Sequence, residues 1–253
     1  MQSSPLPDNW GKGKPRRRTS VAYWKKPLRW DYAARVCGTR PGVFPSLCDW
    51  LDDEVPIEWL ADFLMLVIDT PNLDWLLLTK RPENVERINQ ALKIANWGDR
   101  DKKALWGGLV PHNVWLGTSV ENQEMADKRI PELLKIPARV RFLSVEPMLE
   151  AIDLRSAAFN GADSISGMGG IHLVIVGGES GPHASPCKIK WIRDIVRQCK
   201  AAKVPCFVKQ LGSNPCGMES DDSLNDKKGG NPSEWPEDLR VQEFPKLERE
   251  ETK

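Results

Sequence analysis

The chain has 253 residues, a net charge of +1 and 40% hydrophobic residues, ordinary values for a globular protein with a substantial core. No apolar run approaches the ~18 residues of a membrane span, and the basic, polar first twenty residues carry no signal-peptide core. Six widely and irregularly spaced cysteines (Cys37, Cys48, Cys187, Cys199, Cys206, Cys216) read as reduced thiols of a cytoplasmic protein rather than a disulfide framework.

Residues 1–35 are basic and aromatic without clear periodicity. A strand is expected at 42–47, where GVFPSLCD (42–49) begins. Helix 56–69 follows, with acids and Pro56 at its start and an apolar stripe at 3.6-residue spacing. Strand 74–79 leads into helix 82–95, and 96–112 reads as a loop. Strand 113–118, helix 121–135 and strand 139–145 come next. A flexible loop at 155–170 precedes strand 171–177, helix 188–202 and strand 204–209. Short apolar runs alternating with amphipathic helices predict buried parallel strands with crossover helices, in a doubly wound sheet or an incomplete β/α barrel. Three segments follow: 1–35, a basic, Trp-containing arm; 36–212, the α/β domain; and 213–253, polar and largely irregular.

Such folds bind ligands beyond the carboxyl ends of their strands. That rule gathers Ser46, Thr79, Lys80, Arg81, Ser119, Glu121, Ser144, Glu146, Gly177, Gly178, Glu179, Ser180, Lys209 and Gln210 on one rim. In VIVGGESGP (174–182), Gly177 and Gly178 would let backbone N–H groups approach an anion, with Glu179 and Ser180 beside them; the alternative is a tight turn. Thr79, Lys80 and Arg81 precede a Pro-started helix, a setting for phosphate or carboxylate, or for pairing with rim acids. Glu121 reads as a first-turn acid complementing its helix dipole, whereas Glu146, followed by Pro147, reads as a site residue. His112, His172 and His183 form no ligand pattern, and no metal site, catalytic triad, dinucleotide fingerprint or P-loop is present.

Several motifs carry a resemblance. KPRRRT-x-x-AYW-x-x-PLRW (14–30), PNLDWLLLTKRPENV (71–85), NVWLGTSVENQEMADKRIPELL (113–134), VRFLSVEPMLEAIDL (140–154), VIVGGESGP (174–182), PCFVKQLG (205–212) and WPEDLRVQEFP (235–245) resemble a phage and prophage protein family of unknown function related to radical S-adenosylmethionine enzymes. The resemblance implies an incomplete (partial) β/α barrel of radical-SAM-like type with mainly parallel strands. It also implies S-adenosylmethionine and a [4Fe–4S] cluster held by three cysteines ahead of the position of Trp10. Residues 1–9 contain no cysteine, so the expectation is a truncated or cluster-less chain that does not bind the cluster. In this reading Gly177, Gly178, Glu179, Ser180, Ser144, Thr79 and Lys80 would face a cofactor, and Glu146, Glu179 and Lys209 are catalytic candidates. A competing expectation is a non-catalytic nucleic-acid-binding protein. Its 10–30 segment would contact phosphates through Arg16, Arg17, Arg18, Lys25, Lys26 and Arg29, with tryptophans stacking on bases. A fragment without function is the third expectation.

Overall fold

The computed structural model describes residues 13–45, 48–95, 111–155, 170–218 and 224–246. The chain forms two compact units, Met1–Val114 and Trp115–Lys253, dividing inside the segment that the sequence groups as one α/β domain. Ser46, Trp10 and most of the expected loops at 96–112 and 155–170 lie outside the described residues.

The first unit contains α1 (Val21–Trp24), α2 (Lys26–Cys37), β1 (Gly42–Val43), α3 (Ile57–Ile68), β2 (Asp74–Thr79), a 3-10 turn (Pro82–Val85) and α4 (Glu86–Ile94). β1 runs parallel to β2, with Gly42 opposite Asp74. Leu60, Ala61, Leu64 and Val67 bury one face of α3, which packs against Ile88, Ala91 and Leu92 of α4. Phe63 meets Trp75 edge to face at 5.6 Å, and the buried Trp75 Nε1 donates to Thr70 Oγ1 at 2.9 Å.

Two elements differ from the sequence expectation. β1 is two residues long, because Pro45 has no N–H to continue the pairing. Within the arm, α1 and α2 form where no periodicity was read. Their signals are at the ends instead: Ser20 accepts from Tyr23 N, Pro27 enters the first turn of α2, and Gly38 closes it at φ 63°. Only Pro27 and Ala34 of α2 are buried, so no inward apolar stripe could announce it.

The boundary falls after the first residue of β3 (Val114–Ser119), and the second unit continues with α5 (Gln123–Leu134), β4 (Val140–Val145), β5 (Leu173–Gly177), β6 (Cys187–Lys188), α6 (Ile189–Ala202), β7 (Cys206–Gln210) and β8 (Pro215–Cys216). β3, β4, β5 and β7 pair in that order, all parallel, as expected of buried strands joined by crossovers. β6 and β8 form a separate short parallel pair. The C-terminal stretch is less irregular than its composition suggests. Trp235 and Leu239 are buried, and Val208 N donates to Val241 O at 2.8 Å while Glu243 N donates to Cys206 O at 2.9 Å. Val241–Glu243 thereby covers the outer edge of β7. Among the described residues no helix is long and apolar enough to cross a membrane.

Candidate functional site

The register of the second unit decides which strand-end side chains can meet. Trp115↔Val140, Gly117↔Phe142 and Ser119↔Ser144 are opposite each other, and Phe142↔Leu173 and Ser144↔Ile175 continue the rows. Side chains alternate along a strand, so Ser119, Ser144, Phe142 and Ile175 share one face. Leu143, Val145, Val174, Val176, Cys206 and Val208 share the other. Cys206 lies beside Cys199 of α6 and pushes the Cys199 thiol up, so α6 covers that second face. On the first face the half-buried Phe207 meets Phe244 at 5.1 Å. This face carries the polar groups: Ser119 and Ser144 are buried side by side at its carboxyl end.

Glu146 follows on the same side of β4. Lys209 Nζ donates to both of its carboxylate oxygens at 2.8 and 2.9 Å, with the Glu146 side chain 16% exposed and Lys209 52%. Met148 N donates to Gly177 O at 2.9 Å and ties this segment to the end of β5; the Glu146–Pro147 bond is cis. The structure therefore pairs Glu146 with Lys209 from two expected strand ends, with Ser144 two residues before Glu146 and Ser119, also expected on the rim, opposite Ser144. A half-exposed ammonium, a carboxylate and two hydroxyls can hold a ligand's polar groups or exchange a proton with it.

Gly177 and Gly178 have a different immediate purpose from the anion cradle expected of them. Gly178 N–H donates to Gln210 O at 3.2 Å, and Gln210 Nε2 donates to Gly178 O at 2.8 Å. A side chain on Gly178 would place its Cβ 2.3 Å from Leu211 O and 3.0 Å from Gly212 Cα. The two glycines serve a backbone-to-backbone crossing between the segments after β5 and β7. Glu179 organises the next loop: its carboxylate accepts from Ser185 N at 2.9 Å, and its carbonyl from Ser213 N at 2.8 Å. The Ser185 N–H, then its hydroxyl, hold the Glu179 carboxyl below its ordinary range. Ser180 and His183 are exposed. Beneath Gly178, burial pushes the Cys187 thiol up to about 11, so it is not a thiolate nucleophile near neutral pH.

Glu121 departs from its expected part. α5 starts after Asn122, whose side chain accepts from Met125 N, so Glu121 precedes the helix. It is buried and accepts from Arg129 Nη1 at 2.8 Å, and the same nitrogen donates to Ser119 O at 2.8 Å. Arg129 was not singled out in the sequence; it lies on α5 and reaches back past the helix start to Glu121.

In the first unit the expected anion position at Thr79, Lys80 and Arg81 holds a carboxylate of the chain itself. Asp49 accepts from Thr79 Oγ1 at 2.6 Å, Lys80 N at 3.1 Å and Arg81 Nη1 at 2.8 Å. Pairing of Arg81 with rim acids, the alternative reading, is what the structure has. Arg16 donates to the buried Asp52 at 2.9 Å and also reaches Glu54 at 3.1 Å. Arg18 pairs with Asp62 at 2.7 Å and lies 4.1 Å over Trp24. Arg16 and Arg18 thus serve ion pairs, whereas Arg17, Lys25, Lys26 and Arg29 are exposed.

All six cysteines lie among the described residues and are unbridged; Cys37 and Cys48 are exposed while Cys187, Cys199 and Cys206 are buried. No group of three His, Cys, Asp or Glu among the described residues is placed to hold a metal ion. The thiolates a [4Fe–4S] cluster needs are not brought together, so this chain's residues do not fit that group.

A family model described as a protein of unknown function (DUF5131) matches residues 2–235. Neither the curated proteins nor the solved structures compared with the chain gave a match.

Proposed function

The chain belongs to the DUF5131 family of proteins of unknown function, and we propose that it binds a small polar, nucleotide-like ligand at the carboxyl ends of β3, β4 and β7. The observation that carries this reading is the set of groups there: buried Ser119 and Ser144 beside the Glu146–Lys209 pair, on the face that α6 does not cover. Parallel strands direct ligands to this end of a sheet, where hydroxyls and carboxylates hold amines or ribose hydroxyls. In this reading the sheet is part of a radical-SAM-like partial barrel of phage or prophage ancestry, acting without an iron–sulfur cluster. Unbridged cysteines suit a cytoplasmic setting.

Calorimetry with S-adenosylhomocysteine tests it. Weak binding that is lost in Lys209→Met and in Glu146→Gln supports the reading. No heat at about millimolar ligand, the weak limit of specific recognition, or unchanged affinity in both variants would overturn it.

A second reading, nucleic acid as partner, is favoured by one observation: α1 and α2 expose aromatic and cationic side chains together.

A further inference from the structure

We propose that the outer surface of α1 and α2 is a docking surface for single-stranded nucleic acid, an inference that rests on the nucleic-acid reading and assigns its residues anew. Among the described residues, ten large hydrophobic side chains are exposed, and six belong to α1 and α2. Three of the six are aromatic: Tyr23 is 52% exposed, Trp30 44% and Tyr32 61%. So large a share of the exposed apolar side chains on one short helical pair points to a use for it.

The charge of the surface selects the partner. Asp31 is the sole acid of residues 12–48, and it is turned to the protein, accepting from Asn72 N at 2.7 Å and from Asn72 Nδ2. Arg17, Lys25, Lys26, Arg29 and Arg35 remain exposed. Two of these cations lie over exposed rings, Lys26 4.6 Å from the Tyr23 centroid and Arg35 5.4 Å from that of Tyr32. A lipid or helix partner would want an apolar face free of charge, but here Lys26 and Arg35 lie over the rings and Lys25 and Arg29 stand exposed on the same helical pair. Rings and cations on one surface can meet bases and phosphates together, and exposed rings can stack only on bases that are not already stacked in a duplex. Arg16 and Arg18, bound to Asp52 and Asp62, fall outside the surface.

The test is fluorescence anisotropy on the full chain with labelled oligo-dT of about a dozen nucleotides, the span of one or two such surfaces, beside a duplex of equal length. Lys25→Ala/Lys26→Ala/Arg29→Ala should flatten the salt dependence of single-strand binding by about 2 in log–log slope, the change expected when three phosphates are no longer neutralised. Trp30→Ala and Tyr32→Ala should each weaken single-strand binding about tenfold and leave duplex binding nearly unchanged. Lys190→Ala/Lys200→Ala, a charge change on α6, should behave like the parent. Binding by the parent that none of the α1–α2 variants alters would overturn this surface and leave the nucleic-acid reading standing. No binding at low salt overturns both. Equal loss for duplex and single strand, or binding to anionic vesicles without oligonucleotide binding, would also overturn the proposal.

Discussion

Strand ends in the two units carry similar side chains and treat them differently. At the end of β2, a hydroxyl, a backbone N–H and a guanidinium all turn to Asp49, and Arg81 reaches Asp53 as well at 3.4 Å. After β4 and β7, Lys209 meets one carboxylate and keeps half of its surface in solvent, with buried Ser144 two residues before that carboxylate. Both cations have an internal carboxylate: Arg81, which reaches three of them, is part of a structural joint, whereas Lys209, with one and half of its surface in solvent, can still exchange its partner. Residue type alone does not separate the two cases, because the deciding group, Asp49, lies 30 residues from Thr79.

The contrast can be broken by substitution. Arg129→Met removes the guanidinium paired with Glu121, whose side chain is only 10% exposed, and should cost about 3 kcal/mol in urea unfolding, the scale for removing one partner of a buried pair. Gly178→Ala should cost about 2 kcal/mol, because its Cβ would meet the Leu211 carbonyl, and it should do so with or without ligand. Asp49→Ala removes the acceptor shared by the Thr79 hydroxyl, the Lys80 amide and the Arg81 guanidinium and should cost about 1 to 2 kcal/mol. Lys209→Met, in contrast, should change stability by less than about 1 kcal/mol, the range of half-exposed ion pairs. Equal losses for Asp49→Ala and Lys209→Met would remove the distinction between joint and site.

The smallest effect is in pH. The Glu179 carboxyl is held below its ordinary range by Ser185, so the contribution of this contact is complete above the unfolded pKa near 4.3 and disappears as pH falls through the lower folded value. Hydrogen exchange at the Ser185 amide should accelerate over that window relative to its intrinsic rate, and Glu179→Gln should flatten the response.

Much of the fold was legible in the sequence, because buried parallel strands and amphipathic crossovers write their periods directly into it. β2 falls on 74–79 as expected, and α3, α5 and α6 lie within two residues of their expected bounds. α2 was missed because it has no inward stripe to read; its caps were the available signal. At the site, Glu146 and Lys209 were both singled out from strand ends, and their pairing follows from β4 and β7 each lying beside β5. Gly178 was noticed for its missing side chain, but the space proved to belong to the Leu211 carbonyl and to Gly212, itself at φ +90° and visible in KQLG. Asp49, ending GVFPSLCD, was in view as a polar terminus, yet only tertiary contact could show which cations it would take.

The most direct test of the account is amide hydrogen exchange with and without S-adenosylhomocysteine. The account predicts protection confined to 144–148 and 209–211 in the second unit, with the amides of Lys80 and Arg81 in the first unit unchanged. Protection at Lys80 and Arg81 with none at 144–148 would contradict it, placing the ligand where Asp49 now stands.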